Sequence, residues 1–345
     1  MLHPGQMREK GRGRQVVAGV LVAEAVAAAA GCASAPGPSP ASTPASPSAS
    51  PPVSPPVSPS PAVSPTVVPG TQLTGAGAFE GPVRQVPVNG IRIGYRQFGA
   101  GPDLVMVIGY SSSMSLWTVD LLTGLARHFR VTIFDNRGVG YTTDDLAQPI
   151  TVPLMAEDTA GLIRALGLRS PMLLGWSMGG EIGLTVAAMH PGVLSRLVTT
   201  GGNAGSPHAV QPSPAIIRVL NDPHATPGQF LDLLFPPTAG PAKQAFAQQY
   251  LLVPQQMAGP VTLRRQYDAE TAFAAYLGTW DALPRIRIPV LVTNGTEDVV
   301  VPPANAVLLQ QQIKNATLDM FGGAGHGMLF QDANRFVTLV SAFAG

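Results

Sequence analysis

The sequence from about residue 79 onward predicts an α/β domain with a mostly parallel sheet and helices on both faces. One observation is the dipeptide Asn89-Gly90 between two strand-like segments, which is a strong hairpin signal. Another is that the short apolar segments after this hairpin alternate with segments of helical periodicity. Strands that alternate with helices are typical of parallel sheets, because each helix returns the chain across the sheet.

Eight strands are predicted, and a helical insertion interrupts their alternation with helices. The predicted strands are 83–88, 91–98, 104–108, 131–134, 172–175, 196–199, 290–293 and 317–321. The predicted helices are 119–128, 152–166, 178–190, 303–313 and 333–343. Between about 203 and 281 the sequence has apolar helical pieces separated by prolines. This interval predicts a helical cap over the carboxyl edge of the sheet, where open α/β folds bind their ligands.

The first 32 residues resemble an export signal of a bacterial lipoprotein. They combine a basic start, a mostly apolar stretch and the sequence Ala29-Ala30-Gly31-Cys32. We therefore expect cleavage before Cys32 and acylation of this cysteine, with the protein held at the outer face of the cytoplasmic membrane or in the cell envelope. An unmodified Cys32 is the alternative. An uncleaved membrane span is disfavoured, because the apolar stretch falls short of ~20 residues and contains Glu24.

Residues 33–78 predict a disordered spacer between this signal and the domain. The segment consists mainly of proline, serine, alanine, threonine and valine, and no charged residue occurs between Glu24 and Glu80. Such a composition cannot bury enough apolar area to offset the entropy of ordering, and its prolines keep it extended. We expect it to hold the domain away from a membrane or through a cell wall.

Charge and cysteine content exclude several classes of function. The formal net charge is +1 and the predicted domain has no basic run, so nucleic-acid binding has no electrostatic support. Cys32 is the only cysteine, which excludes an intramolecular disulfide and a cysteine-based metal site. No obligate protein partner is implied.

A serine between two glycines, Gly175-Trp176-Ser177-Met178-Gly179, joins a predicted strand to a predicted helix. A sharp strand-to-helix turn forces its corner residue into a strained backbone conformation, and the glycines remove side chains that would clash there. The serine hydroxyl would stand clear of the sheet at a helix N-terminus, which favours negative charge. The pattern indicates a nucleophile that attacks a carbonyl, and an ordinary turn is the structural alternative.

The order of several motifs resembles that of the α/β-hydrolase superfamily. Besides the serine pentapeptide they are the segment 134–140 (FDNRGVG) after the fourth predicted strand, the segment 294–302 (NGTEDVVVP) after the seventh, and Gly325-His326-Gly327 after the eighth. The resemblance extends from about residue 80 to the end of the sequence. It implies a capped serine hydrolase that uses no metal and no cofactor.

A serine nucleophile needs a base, and the base needs an acid that orients it. Of six histidines, His326 alone follows a predicted strand inside a glycine-rich loop, so we predict that it is the general base and acid. The others lie in the signal, at helix ends or in the cap: His3, His128, His190, His208 and His224.

Two neighbouring residues are candidates for the acid. Asp298 matches the position of the acid in the family, whereas Glu297 beside it is chemically competent. Neighbouring residues of an extended loop point in different directions, so only one of the two is expected to reach the histidine. We predict Asp298, with Glu297 as the alternative.

Stabilisation of an oxyanion needs two preorganised donors. The backbone N–H of Met178, directly after the serine, is one by geometry. The resemblance implies that the other comes from the loop at residues 108–112, where the backbone N–H of Tyr110 is available. Many relatives have His-Gly where this chain has Ile108-Gly109, so a histidine that often braces this loop is missing. A side-chain donor from Tyr110 or Ser111 is the alternative.

Four further residues are expected to have supporting roles. Asp135 and Arg137 are predicted to form a charged pair that pins their loop without touching substrate. Trp117 and Trp176 are candidates for the wall of an acyl pocket, although large aromatic residues near a sheet edge are more often part of the core.

We therefore expect hydrolysis of a carboxylic ester with a small apolar acyl group through an acyl-enzyme. The cap is rich in leucine, phenylalanine and isoleucine and has few charges. The same residues would serve a lactonase, a thioesterase, an aminopeptidase or a cofactor-free perhydrolase. Acidic cap residues that could hold a substrate amine keep the aminopeptidase open: Asp222, Asp232, Asp268 and Glu270. A surface-tethered ligand-binding protein on the same fold is the alternative outside enzymology.

Overall fold

The computed structural model describes residues 66–67, 82–220, 222, 225–252 and 256–345. The predicted export signal, Cys32 and the predicted spacer apart from Thr66 and Val67 lie outside the described residues.

The described residues form an α/β fold built on one mixed sheet. Its strands are β1 (Thr66–Val67), β2 (Arg84–Val88), β3 (Ile91–Gly99), β4 (Asp103–Val107), β5 (Arg130–Phe134), β6 (Met172–Trp176), β7 (Arg196–Thr200), β8 (Val290–Gly295) and β9 (Ala316–Phe321). The spatial order is β1-β2-β3-β5-β4-β6-β7-β8-β9. The pairs β1–β2, β2–β3 and β3–β5 are antiparallel. All the other neighbouring pairs, from β5–β4 to β8–β9, are parallel.

The fold class and all eight predicted strands are confirmed, and a two-residue strand extends the edge of the sheet. Thr66 and Val67 pair antiparallel with Gln85 and Arg84, within the segment predicted as spacer. The hairpin between β2 and β3 turns at Asn89 and Gly90, whose φ angles are 45° and 77°. Positive φ at both central residues is the requirement of the turn type that Asn-Gly favours.

Helices cover both faces of the sheet. They are α1 (Val119–Ala126), α2 (Val152–Ala165), α3 (Met178–Met189), α4 (Pro214–Leu220), α5 (Pro227–Leu234), α6 (Gly240–Leu252), α7 (Pro260–Ala272), α8 (Ala304–Gln312), α9 (Met328–Gln331) and α10 (Ala333–Ala344). Side chains of β4 alternate between two cores, as the two-residue period of a strand requires. Val105 and Val107 pack in the core under α2, α3 and α8, and Leu104 and Met106 pack in the core under α1 and α10.

The cap consists of α4 to α7, which lie between β7 and β8 along the chain. Because β4 to β9 run in parallel, the loops that follow these strands gather at one edge of the sheet. The predicted nucleophile, acid, base and 108–112 loop all follow such strands. Among the described residues, no helix has the length and apolar character needed to cross a membrane.

Candidate active site

Ser177 occupies a strained corner between β6 and α3. Its φ and ψ are 59° and −126°, a conformation that residues with a side chain rarely adopt. The flanking glycines are required by close backbone packing. A Cβ on Gly175 would collide with the carbonyl oxygen of Gly179, and a Cβ on Gly179 would collide with that of Val107. The sequence therefore folds into the sharp turn expected from the serine pentapeptide.

His326 and Asp298 form a buried hydrogen-bonded pair. His326 Nδ1 lies 2.8 Å from Asp298 Oδ2, and both residues are less than 5% exposed, at 3% and 4%. The backbone N–H groups of Val300 and Val301 donate to Asp298 Oδ1, each at 2.8 Å, and so fix the carboxylate. Glu297, the alternative acid, is exposed to solvent. Of the two neighbouring acids, Asp298 is the one that contacts the imidazole.

The loop that carries His326 is fastened directly beside Ser177. Trp176 Nε1 donates to the carbonyl oxygen of His326 at 2.9 Å, and the centroids of the two rings lie 5.3 Å apart. Gly201, which directly follows β7, leaves room for the imidazole, because a Cβ there would lie 3.1 Å from His326 Nδ1. Ser177, Asp298 and His326 are thereby gathered at the carboxyl ends of β6, β8 and β9.

The 108–112 loop passes over the serine. A Cβ on Gly109 would lie 3.0 Å from Ser177 Cβ and 3.5 Å from Ser177 Oγ. Met178 is the first residue of α3, so its N–H has no acceptor within the helix. The Ser111 N–H donates to Gln266 Oε1 of the cap at 2.8 Å. The predicted donors, the N–H groups of Met178 and Tyr110, thus belong to segments that lie beside Ser177.

The side chain of Tyr110 is directed to the cap. Its hydroxyl donates to the carbonyl oxygen of Leu263 in α7 at 3.4 Å. Burial raises the pKa of Tyr110 to about 12, and the nearby Glu270 adds to this rise. The hydroxyl therefore stays protonated and binds the cap, which disfavours the alternative of a side-chain donor from Tyr110.

Comparison with known proteins assigns the family. The sequence profile of the family described as alpha/beta hydrolase fold matches residues 102–333, which is more than half of the chain. The chain belongs to this family.

Relatives of this α/β hydrolase cover most of the domain. It is 30% identical to the non-heme chloroperoxidase of Streptomyces lividans over 262 residues, which are 70% of this chain and 91% of that one. It is 27% identical to the 2-hydroxymuconate semialdehyde hydrolase of Pseudomonas sp. (strain CF600) over 278 residues, 75% of this chain and 93% of that one. The esterase RhEst1 from Rhodococcus sp. ECU1013 has a similar structure, with a TM-score of 0.63, 28% identity, and coverage of 75% and 96%. These relatives support hydrolase activity for the fold, and their different activities leave the substrate open.

The predicted pair of Asp135 with Arg137 is wrong. Arg137 instead donates to Asp158 of α2 through two hydrogen bonds, of 2.8 Å from Nε and 2.7 Å from Nη2. Asp135 accepts from the backbone N–H groups of Met114 and Tyr141, at 2.7 and 2.8 Å. Burial raises the pKa of Asp135 to about 7, although these hydrogen bonds oppose the shift. In this α/β hydrolase the two residues hold the same loop through separate partners.

Trp117 and Trp176 lie in the core under α1 and α10 and are almost fully buried. Both rings pack against Phe330, at centroid distances of 6.2 and 5.2 Å. Both tryptophans are therefore core residues, which was the alternative to a role in the wall of an acyl pocket. Trp176 additionally positions the loop of His326, as its hydrogen bond shows.

A pair of buried carboxyl groups joins the cap to the helix of the serine, and the sequence analysis missed it. Glu181 of α3 and Glu270 of α7 lie within hydrogen-bond reach of each other. Asn203 Nδ2 donates to Glu181 Oε1 at 2.5 Å. Glu181 Oε2 and Glu270 Oε1 are buried, and no donor from the described residues reaches them. Burial raises the pKa of both groups, that of Glu270 to about 7. We therefore expect the two carboxyl groups to share one proton near neutral pH.

The Glu270→Gln variant should become more stable relative to the wild type as the pH rises. A raised folded-state pKa contributes stability that is full below the unfolded pKa and is lost as the pH rises to the folded pKa. For Glu270 this window runs from about 4.3 to about 7. Each proton held only by the folded state changes the free energy of unfolding by about 1.4 kcal/mol per pH unit. Urea denaturation at several pH values measures the difference between the variant and the wild type.

The matched control for this experiment is Asp268→Asn, on the same helix. Asp268 is solvent-exposed and pairs with Arg264 at the surface. Its replacement should leave the slope of unfolding free energy against pH unchanged. Asp135 also has a raised pKa, but it is present in all three proteins and cancels from the comparison. Parallel slopes for the wild type and Glu270→Gln would disprove the shared proton.

Proposed function

We propose that this α/β hydrolase is a serine hydrolase that cleaves a carboxylic ester through an acyl-enzyme intermediate. The observation that carries the proposal is the buried hydrogen bond of 2.8 Å between His326 Nδ1 and Asp298 Oδ2, beside Ser177 at its strained corner. Asp298 Oδ2 accepts a hydrogen bond from the Nδ1–H of His326, so the other ring nitrogen, Nε2, is left as an acceptor. His326 then takes the proton of the Ser177 hydroxyl as Ser177 attacks the ester carbonyl.

The charge that develops on the carbonyl oxygen needs donors that are already in place. The N–H of Met178 at the start of α3 and the N–H of Tyr110 in the 108–112 loop have this role in the proposal. After the alcohol has left, with its proton supplied by His326, water attacks the acyl-enzyme and His326 accepts the proton of that water. His326 then returns this proton to Ser177 Oγ as the tetrahedral intermediate collapses, which releases the acid and restores the free serine. In this proposal Ser177, His326, Asp298 and the two backbone donors are sufficient for the whole cycle.

The substrate in this proposal is an ester with a small apolar acyl group. The cap residues Leu234, Phe235 and Phe246 pack in one apolar cluster with Trp176, which directly precedes Ser177, and the related esterase supports ester chemistry. A series of p-nitrophenyl esters from acetate to decanoate, assayed beside a lactone and an anilide, tests this assignment. We expect the shorter esters to react fastest and the anilide slowest. A protein that hydrolyses none of them and does not react with a fluorophosphonate would favour the ligand-binding alternative.

Perhydrolysis is a second candidate for the same residues. The 30% identity to the non-heme chloroperoxidase of Streptomyces lividans favours it. In this reaction hydrogen peroxide replaces water as the nucleophile that attacks the acyl-enzyme, and the product is a peracid. Peracid formation from acetate and hydrogen peroxide, compared with ester hydrolysis in the same preparation, separates the two activities.

We further propose that the protein is exported and lipid-anchored through Cys32. The proposal is supported by the lipobox-like sequence Ala29-Ala30-Gly31-Cys32 after an apolar stretch. Replacing Cys32 with serine should move the protein from the membrane fraction of cells to the soluble fraction, because acyl chains supply the membrane affinity. Mass spectrometry of the mature N-terminus should find diacylglycerol on Cys32 of the wild type. An unmodified Cys32 on a full-length chain would contradict the proposal.

A further inference from the structure

The 108–112 loop lacks the histidine brace of many relatives, so other contacts must hold it over Ser177. At its start, Asn136 Nδ2 donates to the carbonyl oxygen of Ile108 at 3.0 Å. Both backbone polar groups of Ser111 are held by the cap region. Gln266 Oε1 accepts from the Ser111 N–H at 2.8 Å, and the Ala258 N–H donates to the Ser111 carbonyl oxygen at 3.1 Å. The end of the loop is therefore attached to the cap.

Gln266 is placed where water cannot take over this contact. Its side chain lies on α7 and the residue is 0% exposed. Its other amide atom, Nε2, is buried and has no partner among the described residues. A buried donor without a partner destabilises a fold, so packing alone would favour an apolar side chain at this position. The hydrogen bond that Gln266 accepts from Ser111 explains why a polar side chain occupies this buried position.

Ser111 needs such a restraint because its backbone is strained. Its φ of 58° lies in the left-handed region, which residues other than glycine, asparagine and aspartate seldom adopt. Strained residues persist only where their surroundings fix them. Tyr110, whose N–H is the proposed second oxyanion donor, directly precedes Ser111. A relaxed Ser111 would therefore move that donor.

We propose that Gln266 is a positioning residue of the oxyanion hole: it holds the 108–112 loop so that the Tyr110 N–H faces the oxyanion. The inference rests on the proposed function. It also makes the cap part of the catalytic apparatus, because the oxyanion hole is complete only while α7 lies on the loop. A displaced oxyanion donor weakens binding of the transition state and leaves binding of the ground state largely unchanged.

The test compares variants of Gln266 in the full-length protein with p-nitrophenyl acetate as substrate. Gln266→Met keeps the size of the side chain and removes the acceptor, and kcat should fall by about 10- to 100-fold with KM within about threefold. Gln266→Glu keeps an acceptor oxygen in either protonation state and should restore kcat to within about fivefold of the wild type. The inhibition constant of a trifluoromethyl ketone, which forms an oxyanion on the enzyme, should rise in Gln266→Met by the factor by which kcat/KM falls.

Thr262→Val is the matched control on the same helix. Thr262 is buried, and its hydroxyl donates to the carbonyl oxygen of Gly138 at 3.1 Å, so it fastens α7 to a different loop. This variant should keep kcat within about twofold. Activities are expressed per molecule reactive with a fluorophosphonate, and Gln266→Asn, which withdraws the acceptor by one methylene, serves if Gln266→Met does not fold.

The outcomes separate the two proposals. An inactive wild type that no fluorophosphonate labels would overturn the proposed function. An active wild type with unchanged kcat in the Gln266 variants, or with equal losses in Thr262→Val, would overturn the role of Gln266 alone.

Discussion

Replacement of Ser177 with alanine should lower kcat/KM for p-nitrophenyl acetate by at least about 10⁴-fold. The reason is that no acyl-enzyme can form without the hydroxyl, so the reaction must proceed by direct attack of water. The N–H groups beside the site and the His326–Asp298 pair remain in this variant. The residual rate therefore measures what these groups contribute without the nucleophile.

The matched control is Ser170→Ala. Ser170 is also a serine with positive φ, 47°, but it lies at the surface, where its hydroxyl donates to the carbonyl oxygen of Gly192. Its replacement should leave ester turnover within about twofold of the wild type. Mass spectrometry after fluorophosphonate treatment should place the label on Ser177 in the wild type and find none in Ser177→Ala. Turnover of Ser177→Ala close to that of the wild type would remove Ser177 from the mechanism.

Replacement of Asp158 with alanine should destabilise the protein by about 3–5 kcal/mol. Arg137 and Asp158 have side chains that are 0% and 4% exposed, and two hydrogen bonds join them. The variant would leave the guanidinium of Arg137 buried without a counter-charge. Burial raises the pKa of Asp158 despite the hydrogen bonds from Arg137. Desolvation thus outweighs the attraction, and the large expected loss comes from the stranded charge.

A double variant separates the cost of the stranded Arg137 charge from the contribution of the ion pair itself. Arg137→Met combined with Asp158→Leu should cost much less than Asp158→Ala alone, because it leaves no buried charge. Asp268→Ala, which breaks the exposed pair with Arg264, should change stability by less than about 1 kcal/mol. Free energies of unfolding in guanidinium chloride provide the measurement. A double variant that is less stable than Asp158→Ala would show that the pair stabilises the fold.

The sequence predicted those features whose cause is local. Asn89-Gly90 defines its turn because two adjacent residues must adopt positive φ, and glycine and asparagine do so at low cost. Gly175 and Gly179 likewise indicate the sharp turn around Ser177, because that turn excludes side chains at both positions. His326 and Asp298 follow strands, and strand order brings the ends of parallel strands together. For these residues, neighbours along the chain carry the information.

The features that the sequence did not reveal depend on contacts between distant segments. Arg137 has an acid two residues before it, yet it binds Asp158 on a helix, because loop geometry decides which carboxylate a buried guanidinium meets. Glu181 of α3 and Glu270 of the cap helix α7 are far apart along the chain, so only the tertiary structure brings their carboxyl groups together. Gln266 carries no motif at all. Glu181 does have a signal in the sequence, because it is the only charged residue of α3, whereas α7 has many polar residues and gives no such signal for Gln266 or Glu270.

The hydrogen bond from Trp176 to His326 spans 150 residues of the chain. Since His326 follows the last strand of the sheet, no shorter portion of the polypeptide can bring a base to the serine. A nascent or unfolded chain would thus be unable to use Ser177 as a nucleophile. Hydrolysis would begin only once β9 has joined the sheet, so the onset of turnover during refolding would report that step.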